Sequence, residues 1–320
     1  MAPNRLILDT DGGVDDAQAL LLLIAGGRAP DVITTVFGNV SLDTATANVL
    51  ATLAHAGAAI PVHRGAAQPL AQEWVHAHHV HGEDGLGGAP RPTRTAEIAG
   101  SDAVGLLIAT LSDAAATADR VDLLMIGPLT NLALALQRAP GITGGIGRLT
   151  IMGGTAYGRG NVTPAAEFNI FSDPEAAAIV FDAAIDKTVV PWESCLAHAL
   201  VGHEIDRMFE SVPASDYKTF AQALVQHDRT RHIRTGQGDC LFFIDPLAAA
   251  VVVEPGMVAR SLRACLAVSL APGLTRGMTV IDPSGRLGTP MVTLVEEVRR
   301  DRLAALYAAS VAYVPTSLPT

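Results

Sequence analysis

Residues 5–17 read Arg-Leu-Ile-Leu-Asp-Thr-Asp-Gly-Gly-Val-Asp-Asp-Ala: an apolar run that ends in acids, turns on two glycines and enters an apolar-rich stretch. Residues 5–9 have the length and composition of a buried strand, and 16–26 those of a helix. Four carboxylates, Asp9, Asp11, Asp15 and Asp16, fall within eight residues at the end of that strand. In open α/β sheets the carboxyl ends of strands are where ligands bind. Held together, four such groups repel and raise one another's pKa unless a cation neutralises them. Donors that are all oxygen favour a hard ion, Ca²⁺ or Mg²⁺. Gly12 and Gly13 permit a tight turn and a close approach to a ligand. Acids at a helix start would account for Asp15 and Asp16 through the helix dipole, but would leave Asp9 and Asp11 without a reason. An EF-hand loop counted from Asp9 is excluded, because the places that need Gly and an acid hold Val14 and Leu20.

The same alternation continues along the chain. Residues 32–37 are β-rich and 43–56 helical, behind Ser41 and Asp43 as caps. Further strands are expected at 60–63, 121–126 and 148–152, with helices at 101–116 and 129–138. Asp173-Pro174-Glu175 and Asp245-Pro246 each set a capping acid before a proline, a helix-start signal. This pattern predicts an α/β fold with an open, mainly parallel central sheet flanked by helices. No linker or repeat divides the chain, so 1–320 is expected to be one domain. The Gly/Pro/His-rich stretch at about 72–95 is too long for an ordinary connection and is expected to be a mobile loop. A polar helical excursion at about 205–239 is expected over the sheet edge, and a last helix near 299–310.

The chain has 320 residues, 49% of them hydrophobic and 17% charged, which suits a large core and excludes long disorder. A formal net charge of −10 argues against a nucleic-acid partner, because a phosphate backbone demands a basic face. Cys195, Cys240 and Cys265 are too sparse for a disulfide framework or zinc module and read as buried thiols. The opening residues lack a signal peptide's apolar region, and the longest apolar stretches, 19–25 and 246–253, fall short of the ~20 residues that span a bilayer. A cytoplasmic protein with no membrane partner is expected.

Beyond the acidic strand end, ordered blocks appear: Phe37-Gly38-Asn39-Val40, His81-Gly82-Glu83-Asp84-Gly85-Leu86-Gly87, Gly127-Pro128-Leu129-Thr130-Asn131 and Met152-Gly153-Gly154. Asn161 to Ile170 (NVTPAAEFNI), Asp173-Pro174-Glu175 and Phe243-Ile244-Asp245-Pro246 follow. Together they resemble the inosine–uridine-preferring nucleoside hydrolase family, whose DTDPGxDDA signature the opening matches with Gly12 in place of Pro. The resemblance implies a nucleoside hydrolase-like open sheet, homo-oligomers (dimer or tetramer) and a Ca²⁺ ion at the pocket floor. Carried over, Asp11, Asp16 and Asp245 would supply carboxylates to the ion, and Ile126 a backbone carbonyl. Asp15, Asn39, Glu167 and Asn169 match ribose-binding positions, with Met152 and Phe168 lining the sugar. Gly-Asn after a strand is also a common turn, so Asn39 has a second, purely structural reading.

The implied activity is calcium-dependent cleavage of a ribonucleoside's N-glycosidic bond, with Asp11 as general base. No P-loop and no basic cluster lies near the acids, so nucleosides fit better than nucleotides. The chain departs from the family at Ile244, where many members place a His that protonates the leaving base. Three replacements are open: a histidine such as His81, His76, His78, His79 or His232; stacking on Trp74, Tyr217 or Phe242; or a substrate whose base leaves unaided. Of these, His81 is expected to touch the substrate. Trp192 reads first as packing. Two rival functions remain at this level: a non-catalytic calcium and nucleoside binder, and a haloacid-dehalogenase-type phosphatase, which would need a catalytic Lys that Lys187 and Lys218 do not obviously supply.

Overall fold

The computed structural model describes residues 3–315. The run that opens the chain becomes strand β1, Arg5–Thr10. Leu6 and Leu8 enter the core on one side of the sheet and Ile7 the core on the other, as the two-residue period of a strand requires. A strand buried on both faces is what a continuous apolar run encodes. Its two neighbours, β2 (Val32–Thr35) and β4 (Val121–Met125), are both parallel to it. β3 (Val62–Arg64) lies beyond β2, while β5 (Ile146–Met152), β6 (Lys187–Val190) and β11 (Met291–Val298) extend the sheet beyond β4, all in parallel. β9 (Val258–Val268) and β10 (Thr279–Asp282) close that edge with antiparallel pairings. The nine-stranded order is β10-β9-β11-β6-β5-β4-β1-β2-β3, and β7 (Ala199–Val201) pairs separately with β8 (Cys240–Phe242). The expected mainly parallel sheet is present; the antiparallel edge and the small β7–β8 pair were not foreseen.

Strand order positions the site. From β1 the chain builds outward to β2 and β3, then returns to lay β4 on the free side of β1. Loops that leave the carboxyl ends of β1 and β4 therefore diverge, opening a crevice between them. Helices Val14–Ala25, Asp245–Val253 and Arg300–Val311 pack on one face of the sheet, and Ala103–Thr117, Thr130–Arg138 and Pro174–Asp182 on the other.

The polar helix Asp216–Arg234 does not stand over the sheet edge. It packs on helices Val14–Ala25 and Leu42–Ala56, where the His55 ring stacks on Phe220 with centroids 4.1 Å apart. This second cover explains why helix Val14–Ala25 is apolar nearly all round. Within 72–95 the chain forms a short helix, His78–His81, and is tied to the turn after β2: Trp74 Nε1 donates to Gly38 O at 2.8 Å and Ala77 N to Asn39 O at 2.9 Å.

Two helix starts differ from one another. Asp173 caps its helix, accepting from Ala176 N at 3.1 Å. Asp245 does not: Ile244 holds the N-cap position, and Asp245 is the first helical residue, its carboxylate uncommitted to the backbone.

Gly12 has φ 69°, and a Cβ there would sit 2.5 Å from Ala45 Cα. Proline, fixed near φ −65°, cannot adopt this turn, so Gly12 gives the loop its own path. Gly12→Ala combines a left-handed penalty of ~1–2 kcal/mol with a backbone clash. At ~2–4 °C per kcal/mol, thermal unfolding should show a Tm lower by about 4 °C or more; an unchanged Tm would mean that the turn readjusts freely.

Candidate active site

The turns after β1 and β2 meet over the crevice. Gly38 allows the contact, since a Cβ there would lie 2.0 Å from Asp11 Oδ2. Asn39 then donates twice to Asp11, from its backbone N to Oδ2 at 2.7 Å and from Nδ2 to Oδ1 at 3.0 Å. The same Nδ2 lies 3.1 Å from Asp16 Oδ2, so Asn39 braces two acids and is more than a turn residue. Asp16 also accepts from Gly13 N at 2.8 Å and from the Thr10 hydroxyl.

Asp15, Asp16 and Asp245 each offer a carboxylate oxygen, and these three atoms lie within 4.8 Å of one another. Asp245 is buried and accepts no side-chain hydrogen bond among the described residues, while Asp15 Oδ1 is buried without a partner. Burial pushes the Asp15 carboxyl up to about 6. Burial, reinforced by the charge of neighbouring acids, raises Asp16 and holds Asp11 and Asp245 well above the carboxylate range. An uncompensated buried carboxylate costs on the order of several kcal/mol. An all-oxygen cluster with an orphaned oxygen is a fit for a hard divalent cation. The carboxylates expected around it were those of Asp11, Asp16 and Asp245; the structure gathers Asp15 with Asp16 and Asp245 and turns Asp11 onto Asn39.

The remaining site positions come from β4, β5 and the loop after β5. The Ile126 and Met152 carbonyls each accept from Asn169 Nδ2 at 3.2 Å. Glu167 caps helix Phe168–Ser172: Oε1 accepts from Asn169 N at 2.9 Å, and Oε2 from Gly154 N at 2.9 Å and Ile170 N at 3.2 Å. Burial nevertheless pushes Glu167 up to about 7. Asp15, Asn39, His81, Ile126, Met152, Glu167, Phe168, Asn169 and Asp245 all border one cavity of about 410 Å³. That volume lies within the ~300–1,000 Å³ of small-molecule sites. Its floor is carboxylate; Phe168, Trp192, Leu196, Phe242 and Ile244 make an apolar flank. Asp11 sits behind this lining, buried.

The candidate replacements for the missing His sort themselves here. His81 Nδ1 accepts from Val14 N at 3.2 Å, and burial lowers the ring's pKa to about 3, so its 3.6 Å approach to Asp15 is not an ion pair at neutral pH. His232 has Nδ1 2.8 Å from Cys240 O and Nε2 2.7 Å from an Arg231 nitrogen; burial lowers its pKa too. Neither is a ready proton donor. Trp74 and Tyr217 are committed elsewhere, to Gly38 O and Ser310 O, whereas Phe242 and Trp192 border the cavity. Asn161, Asp228 and Arg231 also border it and were not singled out from the sequence. Asn161 lay in a quoted block, and Asp228, Arg231 and His232 have the i, i+3, i+4 spacing of one helix face.

Fold and site define an α/β protein with a small-molecule pocket floored by carboxylates at a sheet's switch point. The description "Inosine-uridine preferring nucleoside hydrolase" matches residues 6–305, and the chain belongs to that family. It is 37% identical to the non-specific ribonucleoside hydrolase RihC of Salmonella typhi, over 98% of this chain and 99% of the relative. Among solved structures it resembles the plant nucleoside hydrolase PpNRh1 with TM-score 0.88 and 30% identity, covering 97% of this chain and 99% of that one. A purine-preferring ribonucleoside hydrolase from Gardnerella vaginalis superposes with TM-score 0.85 and 27% identity, covering 97% and 98%. These likenesses set aside the phosphatase alternative. No helix among the described residues is long and apolar enough to cross a membrane.

Proposed function

We propose that the protein hydrolyses the N-glycosidic bond of ribonucleosides with Ca²⁺ as its resident ion. The observation that carries this reading is the cluster of Asp15, Asp16 and Asp245, with an oxygen left unpartnered, beneath a cavity of nucleoside size. Asp16 and Asp245, with Asp11 and the Ile126 carbonyl as the family pattern implies, would hold the ion, and Asp15 belongs to the same carboxylate cluster. When bound, such an ion keeps the surrounding acids ionised and orients and acidifies a water beside the ribose diol.

The chain's own groups do the rest. Asp11, with both oxygens oriented by Asn39, accepts the proton of the attacking water. Asp15, Asn39, Glu167 and Asn169 grip the ribose hydroxyls, and the nearby carboxylates favour the positive charge that develops on the sugar ring. Met152 and Phe168 cover the sugar and keep bulk water out. Working as a homo-oligomer, dimer or tetramer, in the cytoplasm completes the proposal.

Ile244 on the cavity wall supports a second reading, a protein that binds nucleosides without cleaving them. Ribose release from a panel of ribonucleosides, measured with chelator and with restored calcium, separates the two. We expect release that stops on chelation and returns with calcium. Thermal stabilisation by a nucleoside without any ribose release would overturn hydrolysis in favour of binding.

A further inference from the structure

Among the described residues, Arg231 is the one lysine or arginine that borders the cavity. It lies on helix Asp216–Arg234 and shares a face with Asp228 and His232, both of which also border the cavity. It enters no salt bridge among the described residues. Its helix neighbour Arg229 behaves differently, pairing with Asp206 at 2.6 Å and Asp239 at 2.7 Å. The nearest acid on its own face, Asp228, is engaged by Gln18 Nε2 at 2.9 Å.

The guanidinium is held from one side. The His232 ring, whose Nδ1 proton is assigned to the hydrogen bond with Cys240 O, leaves Nε2 to accept from Arg231 Nη2 at 2.7 Å. His232 is itself steadied edge-on by Phe242, with ring centroids 4.8 Å apart. Arg231 Nε is buried without an acceptor among the described residues. A guanidinium that borders a ligand cavity without a carboxylate partner has donors to offer an acceptor on the ligand. Its charge reaches Asp15 and His81, and it borders the same cavity as Phe242 and Ile244.

Resting on the nucleoside hydrolase reading, we infer that Arg231 is the catalytic residue for the leaving base, stabilising it as an anion where Ile244 offers no proton. The C1′–N bond breaks with both electrons passing to the base nitrogen, and the charge spreads to the ring's carbonyl oxygen. Arg231 donates to that oxygen but cannot hand over its proton. The water oxygen bonds to C1′, its proton passes to Asp11, and the departed base takes a proton from solvent. Ribose and neutral base result, with no other reactant needed. The chemistry selects bases that leave as resonance-stabilised oxo-anions, such as uracil or hypoxanthine, over adenine, which has no carbonyl to receive the donor.

The test compares uridine and inosine with p-nitrophenyl β-D-ribofuranoside, whose phenolate leaves unaided. Arg231→Met should lower kcat on both nucleosides at least a hundredfold and change nitrophenyl riboside hydrolysis less than threefold. Arg231→Lys, which keeps charge without the planar fork, should fall between, and added guanidinium should restore part of the Arg231→Met loss. Retained nitrophenyl activity shows that the variant folds. An equal loss on all three substrates, or no loss on the nucleosides, overturns the role of Arg231. Wild-type protein that cleaves none of the three would instead overturn the hydrolase reading on which it rests.

Discussion

Replacing Asp11 by Asn is expected to lower kcat for ribonucleosides by about 10³-fold or more while the protein stays folded. In the proposed reaction this side chain is the base; it lies behind the cavity lining, and Asn39 fixes both of its oxygens. Asparagine is close in shape and keeps one acceptor, but it cannot take a proton. Fold retention follows from the electrostatics. Asp11 is fully buried beside Asp16 and carries a carboxyl held well above its ordinary value by burial and by that neighbour's charge. Removing one acid from such a cluster relieves repulsion in the ion-free protein, so its Tm should hold or rise. A reduced Tm accompanying the lost rate would point to structural damage, and kcat within tenfold of wild type would remove Asp11 as the base.

The sheet was legible because its signal is local. Apolar runs such as 5–9 and 121–126, each followed by a helical stretch, encode buried parallel strands without reference to distant residues. The acidic floor was legible for the same reason, with Asp15 and Asp16 adjacent in the first turn of the helix that follows β1. Asp245 could be joined to them only through the family resemblance, because no spacing rule links residues more than 200 positions apart. Its apparent role as a helix cap was misleading: proline after an acid fits either a cap or a first-turn residue, and only the backbone places Ile244 at the cap. The far wall was the least legible part. Asp228, Arg231 and His232 sit in a helix whose polar composition reads as solvated, and only its packing on helix Val14–Ala25 turns that face inward. Glu167 shows the converse limit. A ribose-binding assignment did not reveal that the same carboxylate caps a helix through two backbone amides and accepts a third from Gly154.

The second large effect concerns the protein stripped of divalent ions, which is expected to lose stability as pH rises from 6.5 to 8. Burial pushes Asp9, Glu167 and Asp228 each up to about 7 and holds Asp245 well above its ordinary value. A carboxyl raised on folding keeps its proton in the native state after the unfolded chain has lost it. Its contribution is therefore complete below the ordinary carboxylate range and disappears as pH rises through the raised value. His81 and His232 are lowered on folding and oppose this trend, but only below the ordinary histidine value of 6.5. Above it Lys187, lowered to about 8 by burial, also opposes the trend, but it is one group against four raised acids, which decide the sign. A divalent cation reverses the penalty by neutralising the ionised cluster. Calcium at a hundred times its Kd should add about 2.7 kcal/mol, and at ~2–4 °C per kcal/mol raise the Tm at pH 8 by roughly 5 °C or more. Asp245→Asn should abolish most of that calcium response while making the chelated protein more stable at pH 8 than the chelated wild type, because one buried carboxylate is gone. Scanning calorimetry in chelator and in calcium reads all of these. A chelated wild type more stable at pH 8 than at 6.5, or a calcium response unchanged in Asp245→Asn, would show that the clustered acids are not what the ion binds.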